Sequence, residues 1–178
     1  MLGFLKGIAQ RLAHKMLRSR IKFGGVFHVE HYRNGELLAT YDMPNGVTDL
    51  GVNHVLDVAF HEAAATATWY LGLVDNSGFS AFANADTSAS HGGWNEFTSY
   101  SESDRLAWTE GAAAARAITN AATVDFSING SGTVKGVFLI SDDTKSGTTG
   151  VLFATAAFSS NVPVLNGDDL KVTYTVSG

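Results

Sequence analysis

From Val124 to Ser177 apolar runs of strand length recur between polar turns, the first and the last in strict alternation, so regularly that few folds remain open to this chain. Val124, Phe126 and Ile128 occupy every second position before the turn Asn129-Gly130-Ser131-Gly132. A second run, about 133–141, holds Val134, Val137, Phe138, Leu139 and Ile140, and a third, 151–159, returns with Val151, Leu152, Phe153 and Phe158 after the polar turn Asp142 to Gly150. Val162-Pro163-Val164 and Asn166-Gly167-Asp168 lead into the last run, 169–177. There Leu170, Val172, Tyr174 and Val176 face one way and Lys171, Thr173 and Thr175 the other. A period of two is that of a strand with one buried face. Strands recurring at intervals of roughly ten residues predict a mainly β protein, an antiparallel β-sandwich or a jelly roll.

The N-terminal half agrees. Arg33-Asn34-Gly35-Glu36 separates strands expected at 25–32 and 37–43, and Asn-Gly is the strongest two-residue hairpin signal. Pro44-Asn45-Gly46 makes a further turn. One short helix is expected over about 50–63, with Val52, Leu56, Ala59, Phe60 and Ala63 as its inward stripe. A strand then opens at Thr68, with Trp69, Leu71 and Leu73 on one face and Tyr70 and Val74 on the other. Gly72 within it permits close approach at some cost in strand stability.

That strand leads into a loop over 75–100. A connection of this length is an ordered functional or interface loop, or else disorder. Phe79, Phe82, Trp94 and Phe97 carry too much apolar area for a disordered linker. The first three are expected interface anchors. Asp75 and Gly78 belong to a strong turn, and Asp86, Thr87 and His91 are expected to shape the loop through side-chain to backbone hydrogen bonds.

Charge is divided unequally. Residues 1–22 hold Lys6, Arg11, Lys15, Arg18, Arg20 and Lys22 and no acid, leaving six basic against seventeen acidic residues in the remainder. Phe4, Leu5, Ile8, Leu12, Met16 and Leu17 recur at helical spacing within it. This reads as a basic amphipathic helical arm, 1–22, joined to a single β domain, 23–178. Its apolar members Phe4, Leu5, Ile8, Leu12 and Met16 are expected interface residues. An acidic body repels phosphates, so specific nucleic-acid binding is not expected. No apolar run reaches the length of a membrane helix, and stable membrane insertion is not expected either. The chain has no cysteine, which excludes disulfides, thiolate catalysis and cysteine-ligated metal.

Other residues suggest chemistry only in isolation. His28 and His31, three apart on a strand, point to opposite faces, the wrong arrangement for joint chelation. They read as edge or surface histidines. His54 and His61 lack the zinc-protease spacing. Thr87, Ser90, His91 and Asp86 offer a nucleophile and base without a strained elbow. Glu96, Glu102, Asp104 and Glu110 are carboxylates of a solvated face rather than a glycosidase pair. Asp142, Asp143, Asp168 and Asp169 lie in turns without calcium-binding spacing. Trp94, Trp108 and Tyr100 would form a sugar platform only if exposed along one groove. No catalytic residue, metal or cofactor is therefore assigned.

The segments WYLGLVDNSGF, ADTSASHGGWNEFTSYSES-R, F-ING-GTVKGVFL, KSGTTGVLFATAAFS and VLNGDDLKVTYTVS resemble small virion structural proteins of tailed bacteriophages. The resemblance spans about Gly46 to Ser177. Its landmarks are Trp69, Gly72, Asp86, Thr87, His91, Trp94, Tyr100, Arg105, Gly136, Gly150, Gly167 and Asp168. It implies a non-enzymatic capsid decoration or cement protein, with a tail or adaptor component as the alternative and a carbohydrate-binding module as a third reading. The implied partners are the major capsid protein, further copies of the chain in an oligomer and, for the alternative, tail proteins. The implied location is the virion, assembled in the host cytoplasm.

Overall fold

In the computed structural model, residues 22–178 are described, and the expected arm, with Phe4, Leu5, Ile8, Leu12 and Met16, lies outside the described residues. The chain is mainly β. In order it forms β1 (Gly24–Arg33), β2 (Glu36–Pro44), β3 (Gly46–Val47), helix α1 (Asp49–Phe60), β4 (Trp69–Asp75), β5 (Asn95–Phe97), β6 (Leu106–Trp108), β7 (Ala117–Thr119), β8 (Val124–Ser127), β9 (Gly132–Ile140), β10 (Leu152–Val164) and β11 (Asp168–Ser177).

Two antiparallel sheets result. One has the order β2-β1-β11-β7, with β8 also on β11, and the other the order β3-β10-β9-β4-β5, with β6 also on β4. In each sheet two short strands sit end to end along one long strand. β8 pairs with Asp169–Val172 and β7 with Thr175–Ser177 of β11, while β6 pairs with Trp69–Leu71 and β5 with Leu73–Asp75 of β4.

The first hairpin closes as its sequence requires. Asn34 and Gly35 take φ of 53° and 79°, the two positive values of a turn whose twist suits the flanking strands. β10 replaces two expected segments, 151–159 and Val162-Pro163-Val164, because the chain bulges between Ala157 and Val162 without leaving β9. Lys135 Nζ donates to the Phe158 carbonyl within that bulge at 2.9 Å, satisfying an acceptor that the ladder leaves unpaired.

The alternating residues meet in one core. Phe27, Val29, Leu170, Val172 and Tyr174 from the first sheet cluster with Leu71, Leu73, Val137, Leu139 and Ala156 from the second. The rings of Phe27 and Tyr174 stack at 3.9 Å. Each such side chain, fully buried, contributes about 1.5–3 kcal/mol of transfer free energy.

The second sheet is covered on its other face too. Val74, Phe138, Ile140 and Leu152 form a separate buried cluster with Trp94 from the long loop. This explains why β4 and β9 read as near-continuous apolar runs instead of clean alternations.

Helix α1 starts at Thr48, whose Oγ1 accepts from the Gly51 amide at 2.9 Å, with Asp49 favourably placed in the first turn. Gly51 is pressed against β10, where a Cβ would stand 2.6 Å from the Phe153 carbonyl oxygen. The expected inward stripe is corrected. Leu56, Ala59, Phe60 and Ala63 are exposed, because the helix is anchored at its N-terminal turn and Gly51 is its one buried residue.

The histidine reading is corrected in part. His28 is at the surface beside Asp42, but His31 is buried, its Nε2 2.8 Å from Asp168 Oδ2. Arg33 donates to both oxygens of Asp168 at 2.7 and 2.8 Å, and the Leu165 amide donates to Oδ2 at 2.9 Å. Asp168 thus ties β1 to the turn before β11. The Arg33 guanidinium, with the Leu165 amide and His31, holds its carboxyl well below the usual carboxylate range despite burial.

Candidate functional site

The long loop lies over the outer face of the second sheet. Three aromatic residues seat it there. Phe79 meets Phe82 edge to face with centroids 5.1 Å apart, Phe82 meets Trp94 at 5.6 Å, and Trp94 lies 5.2 Å from Phe138 of β9. Phe79 and Phe82 remain part-exposed, whereas Trp94 is only 4% exposed. The indole area expected at an interface is therefore already buried within the chain, and Trp94 joins the loop to its own sheet.

Polar residues frame these rings. Asp86 Oδ2 accepts from the Trp94 indole Nε1 at 3.0 Å and from the Ala83 amide at 2.9 Å. His91 stacks on Trp94 at 4.0 Å, with Nδ1 3.1 Å from the Trp94 carbonyl oxygen, and it donates there when the proton sits on Nδ1. Thr87 Oγ1 accepts from the Ser90 amide at 3.0 Å. Asp75 Oδ1 accepts from the Ser77 amide at 2.6 Å, and Gly78 has φ of 75°, so this turn uses both an Asx bond and a left-handed glycine. Ser88, unremarked in the sequence, donates to the carbonyl oxygens of Gly150 and Thr148 at 2.9 and 3.1 Å. It fastens the loop to the turn between β9 and β10.

Beneath this turn lies a buried ion pair. Arg105 Nε donates to Glu96 Oε1 at 3.0 Å and Nη2 to Oε2 at 2.9 Å, while Nη1 donates to the Asp142 carbonyl at 2.9 Å. Glu96 also accepts from the Ser146 amide at 2.6 Å. Both side chains are buried, and the guanidinium carbon stands 5.3 Å from the centroid of the Phe138 ring. Asp142 is held below the usual carboxylate range, chiefly by a hydrogen bond from Thr149 Oγ1 at 2.6 Å. Glu96, Arg105, Phe138 and Ser146 line a recess of about 270 Å3 with Ser88, His91 and Trp94. Its polar walls are occupied by internal hydrogen bonds that join β5, the segment before β6 and the turn 141–150.

The remaining candidates are dispersed. Asp86 serves a loop turn and the Trp94 indole, and Thr87 and Ser90 close a turn on each other, the Ser90 amide donating to Thr87 Oγ1. Glu96 is bound to Arg105, Asp104 to Ser103, and Glu110 lines a slot near α1. Asp142 and Asp168 belong to separate networks, and among the described residues no group of three His, Cys, Asp or Glu gathers as a metal site. The sugar-platform arrangement is overturned for these rings. Trp94, Trp108 and Tyr100 are buried in two different clusters. Trp108 Nε1 donates to the Tyr174 carbonyl, and Lys145 Nζ sits 3.6 Å over the Tyr100 ring while donating to that residue's carbonyl. Burial pushes the Tyr100 hydroxyl up and the Lys145 ammonium down.

The sequence places Arg105 among several carboxylates without singling out Glu96 as its partner, and it does not single out Phe138 as the seat of the loop. A signal for Phe138 was present, since Val137-Phe138-Leu139-Ile140 puts large residues on both faces of one strand. Comparison with models of known protein families finds no match, and comparison with curated proteins finds none.

Proposed function

We propose that the chain is a non-enzymatic structural protein of a tailed-phage virion, a capsid decoration or cement protein, in which the two sheets form a β-sandwich body. The observation that carries this reading is how its polar residues are used. Asp86, Ser88, Glu96, Arg105 and Asp168 are buried or part-buried and each is bonded to another part of the chain, so they act as ties within the body. Several are landmarks of the phage-protein resemblance, which supports a family defined by architecture more than by chemistry.

In this reading the body sits on major capsid subunits and the basic arm reaches an adjacent subunit. From the loop, Phe79 and Phe82 retain exposed edges for contact, with Trp94 and Asp86 holding them in place. Apolar area removed from water at such seams contributes about 25 cal/mol per Å2 before ordering and association costs. Repetition around a shell makes modest single contacts effective.

Electron microscopy of the native particle tests the proposal. Density for this chain over the capsid lattice is expected. Density confined to the tail transfers the chain to the adaptor reading, and its absence from purified particles overturns both.

A further inference from the structure

Four turns of this chain carry the dipeptide Asn-Gly, at 34–35, 45–46, 129–130 and 166–167. The pair has a chemistry of its own. A glycine nitrogen, unhindered by a side chain on its own residue, attacks the asparagine Cγ when it is not donating elsewhere, when the side chain is free to turn and when the backbone brings the two atoms together. The fold withholds one of these conditions at three of the four sites.

Asn34 is held left-handed, with φ of 53° in the tight hairpin turn. The matching left-handed ψ carries the Gly35 nitrogen to the far side of Cα from the Asn34 side chain. Asn45 is held by its side chain, for Nδ2 donates to the Tyr174 hydroxyl at 3.0 Å, Oδ1 is buried, and Gly46 is paired with Thr155 of β10. At Asn166 the nucleophile is engaged, since the Gly167 amide donates to the Ile128 carbonyl at 2.8 Å.

Asn129 is left free. It is exposed, its φ is not positive, and among the described residues neither its side chain nor the Gly130 amide has a hydrogen-bond partner. The chain is fixed on both sides of it. The Ile128 amide donates to the Asp168 carbonyl at 2.8 Å, the Asn129 amide to the Ser99 carbonyl at 3.2 Å, and β9 begins at Gly132. Rotation within 129–131 therefore needs no opening of either sheet.

We infer that Asn129 is a site of self-modification, converted in the folded protein to aspartate and isoaspartate. The Gly130 nitrogen gives up its proton and bonds to Cγ of Asn129, the Cγ–Nδ2 bond breaks, and ammonia leaves from a five-membered succinimide. Water then opens the ring. Cleavage of the new bond to Cγ gives aspartate in an ordinary peptide link, and cleavage at the main-chain carbonyl gives isoaspartate. Either product adds a negative charge to a chain of formal charge −5. Isoaspartate also lengthens the main chain by one carbon just before β9, beside the Ser99 contact. The inference is independent of where the protein sits in a particle.

The native full chain serves for the test, with the same chain unfolded in urea as reference. Both are held at mildly alkaline pH and digested with an acid protease, which stops further reaction. Electron-transfer fragmentation then separates aspartate from isoaspartate at each site. Rates in urea give the intrinsic reactivities, close to equal because all four asparagines precede glycine. In the fold, product at Asn129 should exceed that at each of the other three by about tenfold, the rate factor that goes with holding a reacting group in one hydrogen bond. Ion exchange of the folded protein should show a more acidic form that accumulates with time and is missing from Asn129→Gln. Product at Asn34, Asn45 or Asn166 equal to that at Asn129 overturns the inference. So does persistence of the acidic form in Asn129→Gln, or an unreacted Asn129 in the fold while the unfolded chain reacts there.

Discussion

The ring of Phe138 lies directly over Gly72, its antiparallel partner across the β4–β9 ladder. A Cβ built on Gly72 would stand 2.6 Å from Cε1 of that ring, with no room to move because Trp94 packs against Phe138 from above. A glycine that weakens its own strand is thereby compensated by a cross-strand aromatic, and the same ring supports the long loop.

Gly72→Ala should therefore destabilise the protein by about 1–3 kcal/mol through overpacking. Urea unfolding measures the loss. Combining it with Phe138→Leu should cost less than the sum of the two single changes, since the smaller side chain vacates the space the new methyl needs. Strict additivity would mean that the ring does not constrain Gly72.

Asp86→Ala leaves both the Trp94 indole N–H and the Ala83 amide without their acceptor. The expected cost is about 1–3 kcal/mol, concentrated in the loop because the sheets do not depend on Asp86. Limited proteolysis should show faster cleavage within 76–93 and unchanged protection of β9 to β11. Uniform loss of protection would show that the loop and the sheets unfold as one unit.

The elements with long ladders were legible. The alternation of Leu170, Val172 and Tyr174 specified β11, and Asn34-Gly35 specified the first hairpin, because local pattern and tertiary burial agree there. β7 was not legible: Ala117–Thr119 lies in an alanine-rich stretch and is a strand only because Thr175–Ser177 offers it an edge. β5, with three residues, depends in the same way on β4. The loop-shaping roles of Asp86 and Thr87 could be reasoned from short-range turn chemistry, whereas the links of Arg105 to the turn 141–150 join residues about forty positions apart, which no local spacing encodes. Trp94 was assigned to the surface because a loop aromatic carries no sign of which side it buries. The covered outer face of the second sheet decided that question.

Asp168 gives the stability a defined acid dependence. Its carboxyl is held below its ordinary value of 3.8 in the fold, chiefly by Arg33. Its contribution is thus fully present above about that pH and is lost as pH falls toward the lower folded-state value. Unfolding free energy of the native chain should decline with acidification below pH 3.8 more steeply than that of Asp168→Asn, which lacks the group. Denaturant titrations at a series of acid pH values compare the two slopes, and identical slopes would remove Asp168 from the linkage.

Breaking the buried pair from one side should be the most damaging of these changes. Arg105→Met leaves Glu96 buried with the Ser146 amide as its remaining donor and frees the carbonyls of Asp142 and Gly147. A loss of about 3–5 kcal/mol is expected, since an uncompensated buried charge is costlier than no charge. Glu96→Gln in the same chain should recover part of that loss by neutralising the orphaned carboxylate. Thermal unfolding of the single and double variants measures the coupling. A double variant as unstable as the sum of its parts would show that Arg105 acts through its backbone contacts with the turn 141–150 and its packing on Phe138, not through the charge of Glu96.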